Sequence, residues 1–312
     1  MKYKLFSPLS IHEIGQRTNQ EDALWPTSAS KDDRLFILCD GMGGHEKGEV
    51  ASQTVSQAIG EWLKIHTIKD MPVEDTILHE ALAYAYTSLD QFANDSLRQM
   101  GTTLTLLYMH RHGVTAMHMG DSRIYHVRPG EGLLYQSRDH SLVFDLYLSG
   151  EISYEEMRDY PQKNVVTRAM MPGQDNRMKP DIIHITDIQP DDWFYMCSDG
   201  MIEQMEDPEL VRILSSDKSD KEKRQQLIEA TKDNQDNHTA WLIHIDDVIH
   251  EDEDKQLENE EPTARCNALN ILPRDDDNDD VVLVTKPKKS LFQKFRSLFG
   301  SKKNNKIEEY EV

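Results

Sequence analysis

The chain has 312 residues, and 35 basic against 56 acidic side chains give it a formal net charge of −21. A chain this acidic is a poor candidate for general nucleic-acid binding, which needs a basic surface to displace counterions from phosphates. No apolar run reaches the length of a membrane span, and the first residues lack the sustained apolar stretch of a secretory signal. Cys39 and Cys197 sit inside apolar runs and are expected to be small buried core residues in a reducing, cytoplasmic protein.

The composition changes near residue 246, which predicts three regions. Residues 1–245 mix apolar runs with turn signals and are expected to form one catalytic domain. Residues 246–280 hold 14 acidic against 3 basic residues, a density of like charge that favours a solvated, disordered linker. Residues 281–312 open with a basic stretch and are predicted to form a tail that contains a short amphipathic helix.

Strands are predicted where β-branched and aromatic residues cluster between turn signals, at residues 34–39, 102–109, 114–119, 123–127, 133–136, 193–197 and 239–245. Helices are predicted at residues 48–66, 73–97, 142–148, 208–214 and 221–232. A run of consecutive strands favours antiparallel pairing over a βαβ alternation. The order of elements therefore predicts an α+β protein.

Several carboxylates follow apolar runs directly or stand next to strands, and glycines accompany some of them: Asp22, Asp40, Asp121, Asp199 and Asp236. Strand ends are rigid, and oxygens that are held rigidly suit a hard divalent cation. Carboxylate ligands without cysteine favour Mg²⁺ or Mn²⁺ over Zn²⁺. The alternative for any single Asp-Gly pair is an ordinary turn.

Arg17 lies four residues before Glu21 and five before Asp22. A guanidinium beside a metal site can bind phosphate oxygens in a bidentate manner. The alternative on spacing alone is a surface ion pair between Arg17 and those acids.

Eight short motifs occur in order along residues 17–237: RTNQED, DGMGG, MGTTL, GDSR, DHS, TRA, SDG and DN. Together they resemble the metal-dependent protein serine/threonine phosphatases of type 2C, in their compact bacterial form. The resemblance covers about residues 8–245. It implies a central β-sandwich of two antiparallel sheets, flanked by helices on both sides, with the active site in a cleft at one end.

The resemblance also implies metal ligands. Asp40 would bridge two ions, with the Gly41 carbonyl as a further ligand. Asp199 and Asp236 would bind one ion, and Asp22 would help to hold the other. The cofactor implied is two or three Mg²⁺ or Mn²⁺ ions.

Further residues receive roles by the same resemblance. Arg17 would bind the substrate phosphate and, with Asp40 and Asp199, make up the implied catalytic set. Asp121 would hold a weaker third ion together with Asp199. Glu21, Glu203 and Asn237 would lie next to the metal ligands and assist them without binding an ion directly, Glu21 through a water molecule.

One position departs from the family. Animal members carry a histidine after the first DG pair, where it is proposed to protonate the leaving group. Here that residue is Met42, which has no titratable proton. A metal-bound water, His45 and His140 are the candidates that the sequence leaves open.

The resemblance predicts hydrolysis of phosphoserine and phosphothreonine by in-line attack of a hydroxide that bridges two metal ions. The expected partners are phosphorylated proteins, namely a bacterial serine/threonine kinase and its substrates. The alternative is a catalytically silent module of the same fold that binds phosphoproteins or scaffolds a kinase. Retention of Asp22, Asp40, Asp199 and Asp236 favours the enzyme.

Two segments outside the metal motifs carry further expectations. Residues 139–168 are expected to form a helical flap over the cleft that shapes substrate choice, or else an ordinary packed helix pair. Apolar residues at helical spacing within 290–299, set in the basic stretch 286–303, are consistent with peripheral contact with the inner membrane surface or a partner groove. A disordered solubilising tail is the alternative.

Overall fold

The computed structural model describes residues 1–43, 47–93 and 100–249. The first sheet has the strand order β1 (Lys2–Leu5), β12 (His238–Ile249), β11 (Trp193–Cys197), β8 (Arg123–Arg128) and β9 (Gly132–Gln136), with β2 (Leu9–Glu13) also paired to β12. The second sheet has the order β10 (Asp181–Ile185), β7 (Gly113–Met119), β6 (Leu104–His110), β4 (Leu35–Met42) and β3 (Asp22–Trp25), with β5 (Gly101–Thr102) paired to β4. Neighbouring strands in both sheets are antiparallel.

Helices pack on the outer faces of both sheets, and two further short helices lie in the segment between β9 and β10. In chain order they are α1 (Lys47–His66), α2 (Asp75–Asp90), α3 (Leu142–Leu148), α4 (Tyr154–Asp159), α5 (Asp199–Ile202), α6 (Asp207–Leu214) and α7 (Asp220–Ala230). In α1 the buried residues Ala51, Val55, Ile59 and Leu63 recur every four positions, which places an apolar stripe on one face. None of the helices in the described ranges is long and apolar enough to cross a membrane.

Three apolar cores join these layers. The central core lies between the sheets, where Phe36 and Leu107 of the second sheet meet Phe194 and Trp241 of the first. Helices α1 and α2 pack on the second sheet through one outer core, and α5 to α7 pack on the first sheet through the other. The Trp241 indole N–H donates to the Ile37 carbonyl at 3.2 Å, so a hydrogen bond also crosses the sandwich. The predicted layered β-sandwich is confirmed.

Some elements that are marked by a continuous local sequence pattern have the predicted bounds. Strand β11 and helix α3 have the predicted bounds, and Cys39 and Cys197 are buried free thiols. The strands β1, β2, β3 and β10 were not predicted because each has only four or five residues. Three of them, β1, β2 and β10, also pair with strands far away in sequence.

Two boundaries differ from the expectation. The helix expected over residues 73–97 runs from Asp75 to Asp90, and the Asp90 carboxylate is bound by the Gly173 N–H and the Arg177 guanidinium. Strand β12 continues past residue 245 to Ile249, because its last residues pair with β1 and bury Val248. Residues 250–312, which include the predicted amphipathic helix, lie outside the described residues.

Candidate active site

An open cavity of about 350 Å³ lies at one end of the sandwich. Acidic and basic side chains, backbone segments and two residues of the predicted flap line it: Arg17, Glu21, Asp40, Gly41, Met42, Gly43, Thr103, Asp121, Asn164, Val166, Asp199, Asp236 and Asn237. Most of the residues that the sequence assigned to a metal or phosphate site are therefore neighbours in space.

The topology of the first sheet brings two of the carboxylates together. Cys197 at the end of β11 pairs with Arg123 at the start of β8 and with Ala240 near the start of β12. Asp199 follows the first of these strands and Asp121 precedes the second. Because neighbouring strands are antiparallel, the end of one strand and the beginning of the next meet at the same edge.

The second sheet contributes Asp40 near the end of β4. Asp22 at the start of β3 lies directly opposite Asp40 in the register of the two strands. Asp22 is only 3% exposed, and its Oδ2 accepts a hydrogen bond from the Ser198 hydroxyl at 2.9 Å. Asp22 is thus behind the cavity wall, while Glu21 beside it is among the lining residues.

Gly41 is required at its position by close backbone contact. A Cβ there would lie 2.2 Å from the Gly48 carbonyl oxygen and 2.5 Å from the Glu21 carbonyl oxygen. The Gly41 N–H donates to the same Glu21 carbonyl at 3.0 Å. These contacts hold the start of α1 and the segment of Glu21 against the end of β4.

The buried carboxylates are crowded enough to resist ionisation. Burial, followed by the neighbouring carboxylates, raises the pKa of Asp40 and Asp121 well above the ordinary range. The same causes raise the pKa of Asp199 to about 7, and burial raises the pKa of Asp22 to about 6. Like charges in a site of low dielectric repel strongly, so the cluster favours a bound cation.

The donor set fits a hard divalent cation. The lining residues Asp40, Asp121, Asp199 and Asp236 offer carboxylate oxygens, and Gly41 offers a backbone carbonyl. Oxygen ligands of this kind suit Mg²⁺ and Mn²⁺. The residues present are therefore compatible with the cofactor that the sequence predicts.

Arg17 stands at the mouth of the cavity, with 53% of its side chain exposed. Its Nη2 donates to Asp236 Oδ2 at 2.6 Å. The expected pairing with Glu21 or Asp22 is thus replaced by a contact with an acid 219 residues away. A guanidinium has five N–H donors, so the bond to Asp236 leaves donors for phosphate oxygens.

Asn237 connects the strand beside Asp236 to the loop that carries Arg17 and Glu21. Its Oδ1 accepts from the Glu21 N–H at 2.7 Å, and its Nδ2 donates to the Ile14 and Asn19 carbonyls, each at 2.9 Å. The side chain is buried. These three hydrogen bonds connect the two ends of the loop through one side chain.

Two further sequence candidates lie elsewhere. Glu203 at the end of α5 is not one of the cavity-lining residues, although its N–H donates to the Asp199 carbonyl at 3.1 Å. His140, a candidate acid from the sequence, is 5% exposed and is not part of the lining. Burial, followed by His118, lowers the pKa of His140 to about 4, so the ring is neutral near pH 7. His45 lies outside the described residues.

His118, His140 and Asp181 form a second cluster whose potential ligand atoms lie within 4.8 Å of one another. The His140 Nδ1 accepts from the Gly120 N–H at 3.1 Å, so a neutral ring carries its proton on Nε2, which faces Asp181 at 3.3 Å. Arg168 Nη1 already pairs with Asp181 at 2.8 Å. The charge of this carboxylate is thus balanced within the protein, and the cluster stabilises the base of the flap.

Five of the lining residues received no binding or catalytic role from the sequence: Met42, Gly43, Thr103, Asn164 and Val166. Thr103 belongs to the MGTTL motif, which could have marked it as a candidate. Asn164 and Val166 fall within the predicted flap, where no local signal distinguishes a residue that faces the cavity from one that faces solvent.

The chain is similar to proteins of known family and structure. The profile of the family described as Protein phosphatase 2C matches residues 12–243, which include every lining residue named above. A protein phosphatase 2C-type protein of Streptococcus pyogenes is 33% identical over 236 residues, covering 74% of this chain and 94% of that relative. The crystal structure of the serine/threonine phosphatase PstP/Ppp of Mycobacterium tuberculosis matches with a TM-score of 0.66 and 29% identity, over 78% of this chain and 99% of that one. The catalytic domain of PstP in complex with two manganese ions matches with a TM-score of 0.65 and 27% identity, over 78% and 99% of the two chains.

Proposed function

The chain belongs to the protein phosphatase 2C family and is a Mg²⁺- or Mn²⁺-dependent protein serine/threonine phosphatase, and we propose that the acidic cavity is its active site. The observation that carries this assignment is the convergence of four aspartates and one arginine at one edge of the sandwich. The same retained carboxylates, together with the named phosphatase relatives, favour the enzyme over a silent binding module.

Asp40, with the Gly41 carbonyl, would hold the metal ions from the second sheet, and Asp199 and Asp236 would hold them from the first. Asp121 would contribute a further carboxylate beside Asp199. When bound, divalent cations at such a site lower the pKa of water and neutralise phosphate charge.

The side chains of the protein bind and orient the substrate. Arg17 is placed to bind two phosphate oxygens in a bidentate manner, and its bond to Asp236 fixes it beside the acidic cluster. A phosphate bound by Arg17 would lie beside the carboxylates that would hold the metal ions. In-line displacement then requires the serine or threonine oxygen to leave on the side opposite the attacking oxygen.

Covalent catalysis by either cysteine of the described residues, Cys39 or Cys197, does not fit the structure. Cys39 and Cys197 are fully buried, and burial raises the pKa of both thiols above the ordinary value. A cysteine nucleophile reacts as an exposed thiolate, which neither residue supplies. Among the described residues, therefore, no cysteine supplies the nucleophile, and the proposed attacking group is an oxygen derived from water.

The flap contributes to substrate choice. Asn164 and Val166 place its second half at the cavity, and the Leu142 N–H donates to the Val165 carbonyl at 2.8 Å. The two ends of the flap are thus tied together beside the site, where residues flanking the phosphorylated serine or threonine would pass.

Phosphatases of this family act on phosphoproteins and oppose kinases. The finer proposal is that this protein reverses the action of a serine/threonine kinase in the cytoplasm. Peripheral contact with the membrane or a partner through residues 286–303 stays a prediction, as does the division into 1–245, 246–280 and 281–312.

The test is hydrolysis of a phosphothreonine peptide and of an aryl phosphate with Mn²⁺, with and without a chelator. We expect metal-dependent turnover by the wild type and a loss of at least about a hundredfold in D199N, because a metal ligand is removed. D233N removes the same charge from an exposed position near Asp236 and should retain full activity. Turnover that persists in the chelator, or equal activity of D199N and wild type, would contradict the assignment.

A further inference from the structure

Asp40 is held by its strand partner in an unusual way. The register pairs Leu38 with Thr105 and Gly41 with Thr102, which places Thr103 opposite Asp40. In a regular hydrogen-bonded pair the two residues exchange both N–H···O=C bonds. Here the Thr103 N–H donates to the Asp40 carbonyl at 2.9 Å, but the Asp40 N–H donates to the Thr103 hydroxyl oxygen, also at 2.9 Å.

The same hydroxyl contacts the segment that carries Asp121. Thr103 Oγ1 lies 2.8 Å from Ser122 Oγ, and both residues are 1% exposed. Ser122 follows Asp121 in the connection between β7 and β8, which crosses from the second sheet to the first. The Thr103 hydroxyl therefore contacts both the backbone N–H of Asp40 and the side chain of Ser122, the residue after Asp121.

The methyl group of Thr103 contacts the residue on the other side of Asp121. Gly120 has φ +111°, in the region that favours glycine, and a Cβ there would lie 2.5 Å from Thr103 Cγ2. Thr103 thus contacts the chain on both sides of Asp121, through its hydroxyl at Ser122 and through its methyl at Gly120. Serine lacks the methyl and valine lacks the hydroxyl, so neither reproduces both contacts.

We propose that Thr103 is a positioning residue that holds Asp40 and Asp121 at the separation that neighbouring metal ions in the site require. When both are ionised, as metal ligands must be, two neighbouring carboxylates repel each other and would move apart if their backbones were free. Thr103 opposes that movement through bonds that do not involve the carboxylates themselves. This inference rests on the proposed function, since it assigns a role in metal binding.

Thr105 provides a matched comparison. It lies two residues after Thr103, within β6, and is fully buried. Its hydroxyl donates to the Leu38 carbonyl of β4 at 3.0 Å. Thr105 is not among the cavity-lining residues, whereas Thr103 is. Loss of the hydroxyl at position 105 therefore removes a buried hydrogen bond without loosening the site.

The experiment compares T103V, T103S, S122A and T105V in the full-length, metal-stripped protein. Calorimetry measures the Kd for Mn²⁺ alone, urea denaturation in chelator measures folding, and activity is followed against Mn²⁺ concentration. We expect T103V to raise the Kd for Mn²⁺ about tenfold, since it leaves the Asp40 N–H without its partner, and T103S and S122A to raise it about threefold. T105V should lose stability but bind Mn²⁺ as the wild type does.

Each outcome decides the question. An unchanged Mn²⁺ affinity in folded T103V, or an equal loss in T105V, overturns the positioning role. If T103V does not fold, S122A decides in the same way, because it removes only the link to Asp121. A wild-type protein that binds no Mn²⁺ overturns the proposed function instead.

Discussion

Asn237 gives the sharpest test of how the loop bearing Arg17 and Glu21 is positioned. Its side chain makes hydrogen bonds to the Glu21 N–H and to the Ile14 and Asn19 carbonyls. Substitution by alanine removes all three bonds and leaves their partners without the amide. We therefore expect N237A to loosen the loop as well as to destabilise the fold.

The magnitude follows from the bonds. At about 1 kcal/mol net for each hydrogen bond, N237A should lose about 3 kcal/mol of the free energy of unfolding. N237D has nearly the same shape and keeps an acceptor for the Glu21 N–H. Its carboxylate would face the Ile14 and Asn19 carbonyls, however, and would add a negative charge beside the acidic cluster. N237D should therefore be the less stable of the two variants.

Urea denaturation measures stability, and steady-state kinetics on a phosphothreonine peptide measure function. A displacement of about 1 Å in a binding group can cost about a hundredfold in rate, so we expect kcat/KM of N237A to fall at least tenfold, mainly through KM because Arg17 binds the phosphate. N19A is the control, since the bond to Asn19 uses its backbone carbonyl. If N237A lost less than about 1 kcal/mol of the free energy of unfolding and kept its KM, the proposed role of Asn237 in holding the loop would be refuted.

Three other predictions concern the remainder of the molecule. Burial lowers the pKa of His110 to about 4, whereas an unfolded histidine titrates near 6.5. Between these two pH values the imidazole is protonated in the unfolded chain but not in the folded one. The free energy of unfolding should therefore fall as the pH drops from about 6.5 to about 4. H110Q should flatten that slope in denaturation curves recorded across this range, and an identical slope would show that another group is responsible. Asp192 is fully buried and accepts bonds from Arg128 at 2.7 and 3.0 Å. D192N should cost about 3 kcal/mol in urea denaturation, because the buried guanidinium loses its buried carboxylate and keeps only the exposed Asp187 and Glu131. A loss below about 1 kcal/mol would be inconsistent with that pairing. Deletion of residues 281–312 should leave kcat/KM on a phosphopeptide unchanged, and a tenfold loss would instead assign the tail a role at the site.

The nature of the chemistry could be inferred from the sequence because it depends on residue type and local position. Asp40 and Asp199 follow apolar runs that form β4 and β11, and the side chains at such strand ends are carried on rigid backbone. The oxygen-rich composition of the site and the absence of an exposed thiol nucleophile among the described residues follow from the same local patterns.

The detailed roles of individual residues could not be inferred in this way. Asp22 and Glu21 are neighbours in sequence, yet the strand register buries Asp22 behind the wall and leaves Glu21 at the cavity. Arg17 meets Asp236 rather than the acids nearest to it in sequence. His140, which a motif made a candidate acid, is buried against His118.

Local sequence thus determined which segments become the long helices and central strands, and which side chains could bind a hard cation. Tertiary structure alone decided that Thr103 touches the chain on both sides of Asp121 and that Asn237 closes a loop more than two hundred residues away. The physical reason is that these contacts depend on which strands pair and in what register, and register is a property of two distant segments together.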